Sequence, residues 1–311
     1  MATHPSARRL LVTTPRLPAR PAKGHKGTFG TVLVVGGCAA GTTRMIGAPA
    51  LAALGALRCG VGLCRVAAPE PIVGHVLRLV PSATGIALAC VASGSVDARR
   101  SGKALAEAVQ GVDIVVLGPG LGGGPGAAGV VRTVLRASAC PVVVDADGLN
   151  AISGDPSLAR SAHGRLVLTP HPGEWKRLAG ALGIAGNAVE PASRSGAAQA
   201  LAKRLGAVVV LKGAGTVVAD GERVWVNRTG NAALATGGTG DVLAGVVGGL
   251  LAQLLAAGAK DSMFVAACAG VWAHGRAADV WAREHKASGG MLAADLLSRL
   301  PGAIQRLRAR E

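Results

Sequence analysis

The stretch Gly237-Gly238-Thr239-Gly240-Asp241 decides how the rest of this 311-residue sequence is interpreted. It ends a loop rich in glycine and threonine and leads directly into the apolar segment 242–257. Flexible glycines before a helix bring unpaired backbone amides and the positive end of a helix dipole together, which is how a chain binds phosphate. We therefore expect an anion to bind at this loop.

Asp241 is the unusual residue of this stretch, because a carboxylate beside an anion site costs free energy unless it has a task. It could cap the helix, contact magnesium, or accept a proton as a general base. The motif alone leaves the capping role and the catalytic role open.

The chain is strongly basic, with a formal net charge of +16 and no acidic residue before Glu70. This balance favours polyanionic partners, namely nucleic acid, an acidic membrane surface or small molecules rich in phosphate, although arginines on a solvated surface also account for the charge of the tails. Aromatic residues make up 2% of the chain. The chain therefore has few aromatic side chains on which single-stranded bases could stack, and we expect no nucleic-acid partner.

Cysteine usage and the apolar runs predict a cytoplasmic protein without a membrane span. The six cysteines show no C-x-x-C pair and no accompanying histidine spacing for zinc, which indicates buried reduced thiols. Residues 1–24 lack the apolar run of a secretory signal, and their basic, proline-rich composition predicts a partly disordered arm. The apolar run 242–259 contains several glycines and Gln253, so we interpret it as a buried helix.

Residues 25–311 alternate between apolar runs and helical patterns. The predicted strands are 31–35, 62–67, 112–117, 141–144, 166–169 and 208–211, followed by a hairpin around the turn Asp220-Gly221. Repeated strand and helix units predict one α/β domain of three layers, with a mostly parallel sheet and an antiparallel hairpin toward one edge. Ligands bind at the carboxyl ends of strands in such sheets, where these loops would converge.

Two further glycine-rich loops are candidates for ligand binding. The segment Gly118-Pro119-Gly120-Leu121-Gly122-Gly123 formally matches the dinucleotide fingerprint, but the match is weak in a chain with 47 glycines. A close backbone approach to another ligand is the favoured interpretation. The segment Lys212-Gly213-Ala214-Gly215-Thr216 follows a strand and offers a lysine, amides and a hydroxyl to a nucleotide, while a simple glycine turn stays open.

His171 lies between two prolines in a rigid loop, and Glu174 follows three residues later. A histidine fixed outside regular structure contacts a ligand more often than a core histidine does. Glu174 could orient magnesium through water or cap the next helix.

Seven segments, taken in order, resemble the ADP- or ATP-dependent NAD(P)H-hydrate dehydratases, a family with a ribokinase-like fold. The resemblance extends from about residue 25 to the C-terminal helix. The segments are His25-Lys26-Gly27 with Gly30, Met45-Ile46-Gly47-Ala48-Pro49, Gly118-Pro119-Gly120-Leu121-Gly122, Asp145-Ala146-Asp147-Gly148-Leu149-Asn150, Thr169-Pro170-His171-Pro172-Gly173-Glu174, Leu211-Lys212-Gly213 and Ala235-Thr236-Gly237-Gly238-Thr239-Gly240-Asp241-Val242-Leu243.

The resemblance implies repair of the S epimer of hydrated NAD(P)H. In this family a nucleotide phosphoryl group activates the added hydroxyl, which leaves as phosphate, and AMP is released when ADP is the donor. It further implies ADP or ATP as co-substrate, a separate epimerase for the R epimer and a homo-oligomer. Magnesium is expected because phosphoryl transfer needs its charge neutralised.

The resemblance also assigns residues to roles. The positions that hold the hydrated dinucleotide are Ala48, Gly120, Gly122, His171 and Asp241. The positions that hold the adenosine nucleotide are Lys212, Gly213, Ala214, Gly215, Thr216 and Gly240. Asp241 takes the place of the base of ribokinase-like kinases, with Gly238, Thr239 and Gly240 around the transferring phosphoryl group. Glu174 is the candidate contact to magnesium.

Two departures from the family pattern, at Asn231 and at Cys38, and two competing functions stay open. Where the family commonly has Asn-Pro-Gly, this chain has Asn231-Ala232-Ala233, which predicts a looser loop. A ribokinase-like kinase for a hydroxymethyl or alcohol substrate would share the fold, the anion loop and Asp241. A nucleotide-sensing binding protein would keep the pocket without turnover.

Overall fold

Ten strands form one mixed sheet in the computed structural model, which describes residues 9–11, 13, 15–162 and 164–308. The strands are β1 (Arg9–Leu11), β2 (Thr31–Val35), β3 (Leu63–Pro69), β4 (Thr84–Leu88), β5 (Ile114–Leu117), β6 (Val142–Val144), β7 (Leu166–Leu168), β8 (Val208–Leu211), β9 (Val217–Ala219) and β10 (Arg223–Val226). Their order across the sheet is β1-β10-β9-β8-β7-β6-β5-β2-β3-β4. All neighbouring pairs are parallel except the two that involve β9.

The described residues also form eleven α-helices. They are α1 (Gly47–Arg58), α2 (Glu70–Leu79), α3 (Ala98–Gln110), α4 (Gly124–Ala137), α5 (Asp147–Gly154), α6 (Ser157–Arg160), α7 (Pro172–Leu182), α8 (Pro191–Leu205), α9 (Thr239–Ala256), α10 (Ser262–His285) and α11 (Ala293–Arg308). Two short 3-10 helices, Lys26–Phe29 and Ala232–Leu234, lie in the connections.

Two hydrophobic cores lie on opposite faces of the sheet. Side chains alternate along a strand, so Val32 and Val34 of β2 enter one core while Leu33 and Val35 enter the other. Helices α1, α2 and α9 to α11 cover the first face, and α3 to α8 cover the second. The predicted three-layer α/β/α fold, with its antiparallel hairpin near one edge, is confirmed.

Two strands were not expected from the sequence, and both lie at the ends of the sheet. The edge strand β4 is half exposed, so its residues lack the continuous apolar run of the central strands. β1 lies within the predicted arm 1–24 and pairs with β10 in parallel. Farther along the same arm Leu17 is buried, and its amide donates to the carbonyl of Leu307 at 2.9 Å. Residues 1–8, 12 and 14 of that arm lie outside the described residues.

The apolar run after Asp241 forms α9, which is a buried helix as expected. By length and composition α9 could cross a membrane, but 78% of its 18 residues are buried inside the protein. The helix packs against α1 through glycines. A Cβ on Gly249 would lie 2.8 Å from the carbonyl oxygen of Ala56, and one on Gly55 would lie 2.6 Å from that of Val242. This contact brings the first turn of α9 close to α1.

Gly245→Ala should destabilise the protein, because the new Cβ would strike the carbonyl oxygen of Ala52 on α1. Backbone cannot move as cheaply as a side chain, so we expect a loss of about 1–3 kcal/mol in the free energy of unfolding, measured with denaturant. Gly102→Ala in α3 is the matched control, since nothing lies within 4 Å of its new Cβ. The control should gain about 0.5–1 kcal/mol. Equal stability of the two variants would contradict the close packing of α1 and α9.

Candidate active site

Five loops meet at the carboxyl edge of the sheet and are linked by backbone hydrogen bonds. The amide of Gly118 donates to Val35, and that of Asp145 donates to Leu117, at 2.9 and 3.0 Å. The amide of Lys212 donates to Pro170 at 2.8 Å. The loops after β2, β5, β6, β7 and β8 are thus fixed beside one another, where the sequence predicted a site.

Asp241 lies in the first turn of α9 and does not cap it. The N-cap is Gly238, which has a φ of 90° and no capping side chain. Thr239 closes the preceding loop by donating its hydroxyl to the carbonyls of Leu234 and Thr236, both at 3.0 Å. Within the described ranges no hydrogen bond to the carboxylate of Asp241 is found, so the capping alternative is excluded and the side chain is free for chemistry.

Lys212 and Asp145 form a buried ion pair beside this turn. The lysine Nζ donates to Oδ1 of Asp145 at 2.6 Å and lies 3.8 Å from Oε2 of Glu174. Thr169 donates its hydroxyl to the same Oδ1 at 2.7 Å. A Cβ on Gly240 would lie 3.4 Å from the lysine Nζ, so the helix turn that carries Asp241 rests on this pair.

The electrostatics of the cluster bring the pKa of Asp241 close to neutral pH. Burial and the negative charge of Asp145 raise the pKa of Asp241 to about 7, while Lys212 opposes the shift. Burial alone would lower the pKa of Lys212, but Asp145 and Glu174 outweigh it and the pKa is raised. The lysine therefore stays charged, and Asp241 has a pKa suited to a general base that works near pH 7.

His171 and Glu174 form a capping box at the start of α7. The histidine Nδ1 accepts from the amides of Gly173 and Glu174 at 3.0 and 3.3 Å, and Oε2 of Glu174 accepts from the amide of His171 at 2.8 Å. The capping role considered for Glu174 is thus observed. Its proposed contact to magnesium through water stays a prediction.

A cavity of 790 Å³ opens beside the Lys212 loop. It is bordered by residues 212–216 and 227–232, and also by His171, Leu234, Ala235, Thr239, Gly240, Leu243, Val271, His274 and Gly275. Every residue predicted to hold the adenosine nucleotide therefore borders a single cavity. Its volume is in the range typical of small-molecule sites.

The residues predicted to hold the dinucleotide form a second group. A Cβ on Gly120 would lie 2.9 Å from the Cβ of Ala48, and the amide of Gly122 donates to Oδ2 of Asp147 at 2.8 Å. Ala48, Gly120 and Gly122 do not border the 790 Å³ cavity, whereas His171 does. Asp241 does not border the cavity, but its neighbour Gly240 does, and a Cβ on Gly238 in the same turn would lie 2.6 Å from Cδ1 of Leu51 on α1, the helix that carries Ala48.

The structure adds residues to which the sequence assigned no role. Asp145 and Asp147 follow a predicted strand and belong to a motif of the family. Their position at the carboxyl end of that strand could have indicated a role in the site. His274 gave no signal, because it lies within the largely apolar helix α10. It is buried, its Nε2 lies 2.9 Å from the carbonyl oxygen of Thr239, and burial lowers its pKa to about 4. A neutral ring that donates from Nε2 therefore holds the first turn of α9.

The loop at Asn231 is anchored more firmly than its sequence suggested. Asn231 accepts from the amide of Ala233 at 3.0 Å and donates to Asp279 of α10 at 3.0 Å. The same carboxylate accepts from the amide of Gly230. Side-chain hydrogen bonds thus hold this wall of the cavity, in place of the proline and glycine common in the family.

Oδ2 of Asp145 is an oxygen of this cluster that suits magnesium. The part of the chain that the structure describes contains no group of three His, Cys, Asp or Glu side chains that could bind a metal ion. Magnesium needs few protein ligands when it arrives on phosphates and keeps its waters. Oδ2 of Asp145 has no hydrogen-bond partner among the described residues and lies 3.9 Å from the position of a Cβ on Gly240. The residues present therefore fit a magnesium ion carried by a nucleotide.

The three-layer fold, the glycine-rich loop before α9 and an aspartate in the first turn define a ribokinase-like protein. The family model described as NAD(P)H-hydrate dehydratase matches residues 32–302. The chain belongs to this family.

Relatives and a solved structure agree with this assignment. The chain is 40% identical over 299 residues to an ADP-dependent (S)-NAD(P)H-hydrate dehydratase of Neisseria meningitidis, covering 94% of this chain and 92% of the relative. It is 40% identical to a bifunctional NAD(P)H-hydrate repair enzyme of Moorella thermoacetica, covering 99% of this chain but 56% of that relative. The ADP/ATP-dependent NAD(P)H-hydrate dehydratase of Bacillus subtilis, co-crystallised with ATP and Mg²⁺, has 32% identity and a TM-score of 0.73, covering 94% of this chain and 95% of that chain.

Asp241→Asn should stabilise the protein at high pH. The folded-state pKa of Asp241, about 7, lies above its unfolded value of 3.8, so its contribution to stability is fully present below the unfolded pKa and is lost as pH rises through 7. Denaturant unfolding should show the variant about 1–2 kcal/mol more stable than wild type near pH 8, and nearly equal near pH 4. Glu107→Gln changes an exposed carboxylate in α3 and should show no such pH-dependent difference. A constant offset for Asp241→Asn at both pH values would contradict the raised pKa.

Proposed function

We propose that this protein dehydrates the S epimer of hydrated NAD(P)H to NAD(P)H, with ADP as phosphoryl donor and with AMP and phosphate as the other products. The observation that carries the proposal is the carboxylate of Asp241, which accepts no hydrogen bond from the described residues, in a helix turn whose Gly240 borders the 790 Å³ cavity and whose Gly238 lies against α1, the helix that carries Ala48. A base in that place can reach a hydroxyl from one side while a phosphoryl group approaches from the other.

The first chemical step is phosphoryl transfer to the hydroxyl of the hydrated ring. Asp241 accepts the hydroxyl proton while the oxygen forms a bond to the terminal phosphorus of ADP, and the bond from that phosphorus to AMP breaks. Amides of Gly238 to Gly240 at the start of α9 stabilise the charge on the transferring group. Because the helix is held by α1 and by His274, these donors are fixed before the substrate binds.

The second step is elimination. The carbon to oxygen bond breaks and phosphate leaves, while the neighbouring ring carbon loses a proton and the ring double bond forms again. Phosphate is a far better leaving group than hydroxide, which accounts for the need for a nucleotide. Gly120 lies against Ala48 and Met45, and its missing side chain lets a ligand approach the backbone there.

The cavity beside Lys212 is the proposed site of the adenosine nucleotide. Gly213 and Gly215 border this cavity and adopt positive φ values of 134° and 62°, a backbone conformation found in loops whose amides bind phosphate. Magnesium would supply charge neutralisation at the phosphates, with Oδ2 of Asp145 as its protein contact, directly or through water. We further propose a separate epimerase for the R epimer, a homo-oligomeric state and a cytoplasmic location.

The direct test follows absorbance near the reduced-nicotinamide band after protein, magnesium and hydrated NADH are mixed with ADP or with ATP. A rise in absorbance with release of phosphate is expected, and it should be faster with ADP. A product that keeps the phosphate, or phosphorylation of a vitamin or sugar alcohol without a rise, would favour the kinase alternative. Nucleotide binding without any turnover would favour a binding protein.

Asp241→Asn should abolish most turnover while nucleotide still binds. Loss of a general base costs about 10²- to 10⁴-fold in kcat, and the neutral amide places no new charge beside the phosphates. Turnover is measured in the absorbance assay and ADP affinity by calorimetry. Asp97→Asn is the matched control, because Asp97 caps α3 and asparagine caps equally well. Wild-type turnover in Asp241→Asn would remove the proposed base.

Asp145→Asn should move the acid limb of the pH profile of kcat/KM to lower pH. Asp145 raises the pKa of Asp241, so removal of its charge lowers that pKa, and the base becomes deprotonated at a lower pH. In wild type the limb should lie near the pKa of about 7. Glu107→Gln should leave it in place. A limb that stays fixed or rises in Asp145→Asn would show that Asp241 does not set the profile.

A further inference from the structure

Arg194 of α8 is buried directly beneath the Lys212 loop, with 6% of its surface exposed. Its Nη1 donates to the carbonyl of Ala188 at 2.7 Å, and its Nη2 donates to those of Leu211 and Lys212 at 2.9 and 3.1 Å. The planar guanidinium therefore ties the end of β8 and the first residue of the loop to α8.

The loop lies against the guanidinium without any side chain between them. Gly213 has a φ of 134°, and a Cβ at this position would lie 3.1 Å from both Nη1 and Nη2 of Arg194. The amides of the loop and the charge of the arginine are thus held close to the same wall of the cavity.

Arg194 differs from Lys212 in that no acid compensates its charge. Among the described residues no carboxylate lies within 4.0 Å of its nitrogens, and its buried Nε has no hydrogen-bond partner. An arginine stays protonated in a protein, so a full positive charge is buried there against carbonyl dipoles alone. The charge of Lys212 is already balanced by Asp145 and Glu174.

The carboxylates of the site make this difference important. The negative charges of Asp145, Asp147 and Glu174 all act on Asp241, and a nucleoside diphosphate would add further negative charge. The single positive charge of Lys212 cannot offset the carboxylates and the phosphates together. A second positive charge behind the loop would attract the phosphates without entering the cavity.

We propose that Arg194 is a positioning residue of the nucleotide loop and also the uncompensated positive charge that selects nucleotides by the charge of their phosphate chain. The ligand class is a nucleoside diphosphate, and the inference rests on the proposed function of the 790 Å³ cavity. Its two parts separate by experiment, because loop shape affects every adenine ligand whereas charge affects only those with phosphates.

The test measures the dissociation constants of adenosine, AMP and ADP by calorimetry for wild type, Arg194→Lys and Arg194→Gln. Gln keeps an amide donor for the loop carbonyls but removes the charge, so ADP affinity should fall ~10-fold more than adenosine affinity, with AMP between them. Lys keeps the charge but loses the fork of donors. Arg194→Lys should therefore weaken the binding of all three ligands by a similar factor. The ratio of ADP affinity to adenosine affinity should stay within about twofold of wild type.

Arg165→Gln is the matched control. Arg165 also lacks a partner for its buried Nε and donates to a carbonyl, that of Ser138, at 3.2 Å. It precedes β7 and so lies at the opposite end of the sheet from the cavity. Its substitution should leave all three dissociation constants unchanged, even where thermal unfolding shows a loss of stability.

Equal weakening of adenosine and ADP in Arg194→Gln would overturn the charge role, and unchanged affinities would overturn both roles. If Arg194→Gln does not fold, Arg194→Lys still tests the charge role. A selective loss of ADP affinity in that variant, which retains the charge, would contradict the proposal. Wild-type protein that binds none of the three ligands would instead refute the proposed function. The two failures are therefore distinguishable.

Discussion

The ion pair between Lys212 and Asp145 is the interaction on which the site depends. It joins the loops after β6 and β8, and the first turn of α9 rests on it at Gly240. A buried pair of this kind costs desolvation free energy and is retained where its geometry and charge serve a purpose. Here the lysine is balanced by Asp145 and Glu174, so the negative charge of Asp145 is only partly cancelled and still raises the pKa of Asp241.

Close packing of α1 and α9 is the second constraint. Glycines at the contact let the backbones approach until a Cβ would collide, so the start of α9 has a fixed position relative to α1. Ala48 lies in the first turn of α1, and Asp241 lies in the first turn of α9. A rigid contact between the helices therefore sets the relation between the two ligand groups, which is what a transfer of a phosphoryl group between two bound molecules requires.

Most of the fold could be predicted from the sequence because the central strands are buried on both faces and read as continuous apolar runs. The edge strand β4 could not, since partial exposure removes that signal, and β1 could not, because it lies in a basic, proline-rich stretch. The Lys212 loop and Asp241 stood out because glycine-rich segments next to a charged side chain are typical of phosphate-binding sites. Arg194 and His274 did not, because both lie within helices where nothing local distinguishes a buried polar group from an exposed one.

The sequence by itself determined the alternation of central strands with helices, the edge of the sheet where ligands are expected, and the family to which the chain belongs. These follow from local patterns and from motifs that keep their order along the chain. Only the tertiary structure decided which charged side chains have a partner and which do not. It showed that Asp241 caps nothing, that Lys212 is balanced by Asp145 and that Arg194 is not balanced by any described acid. Burial and charge pairing join residues far apart in the chain, and such distances are set by packing rather than by sequence spacing.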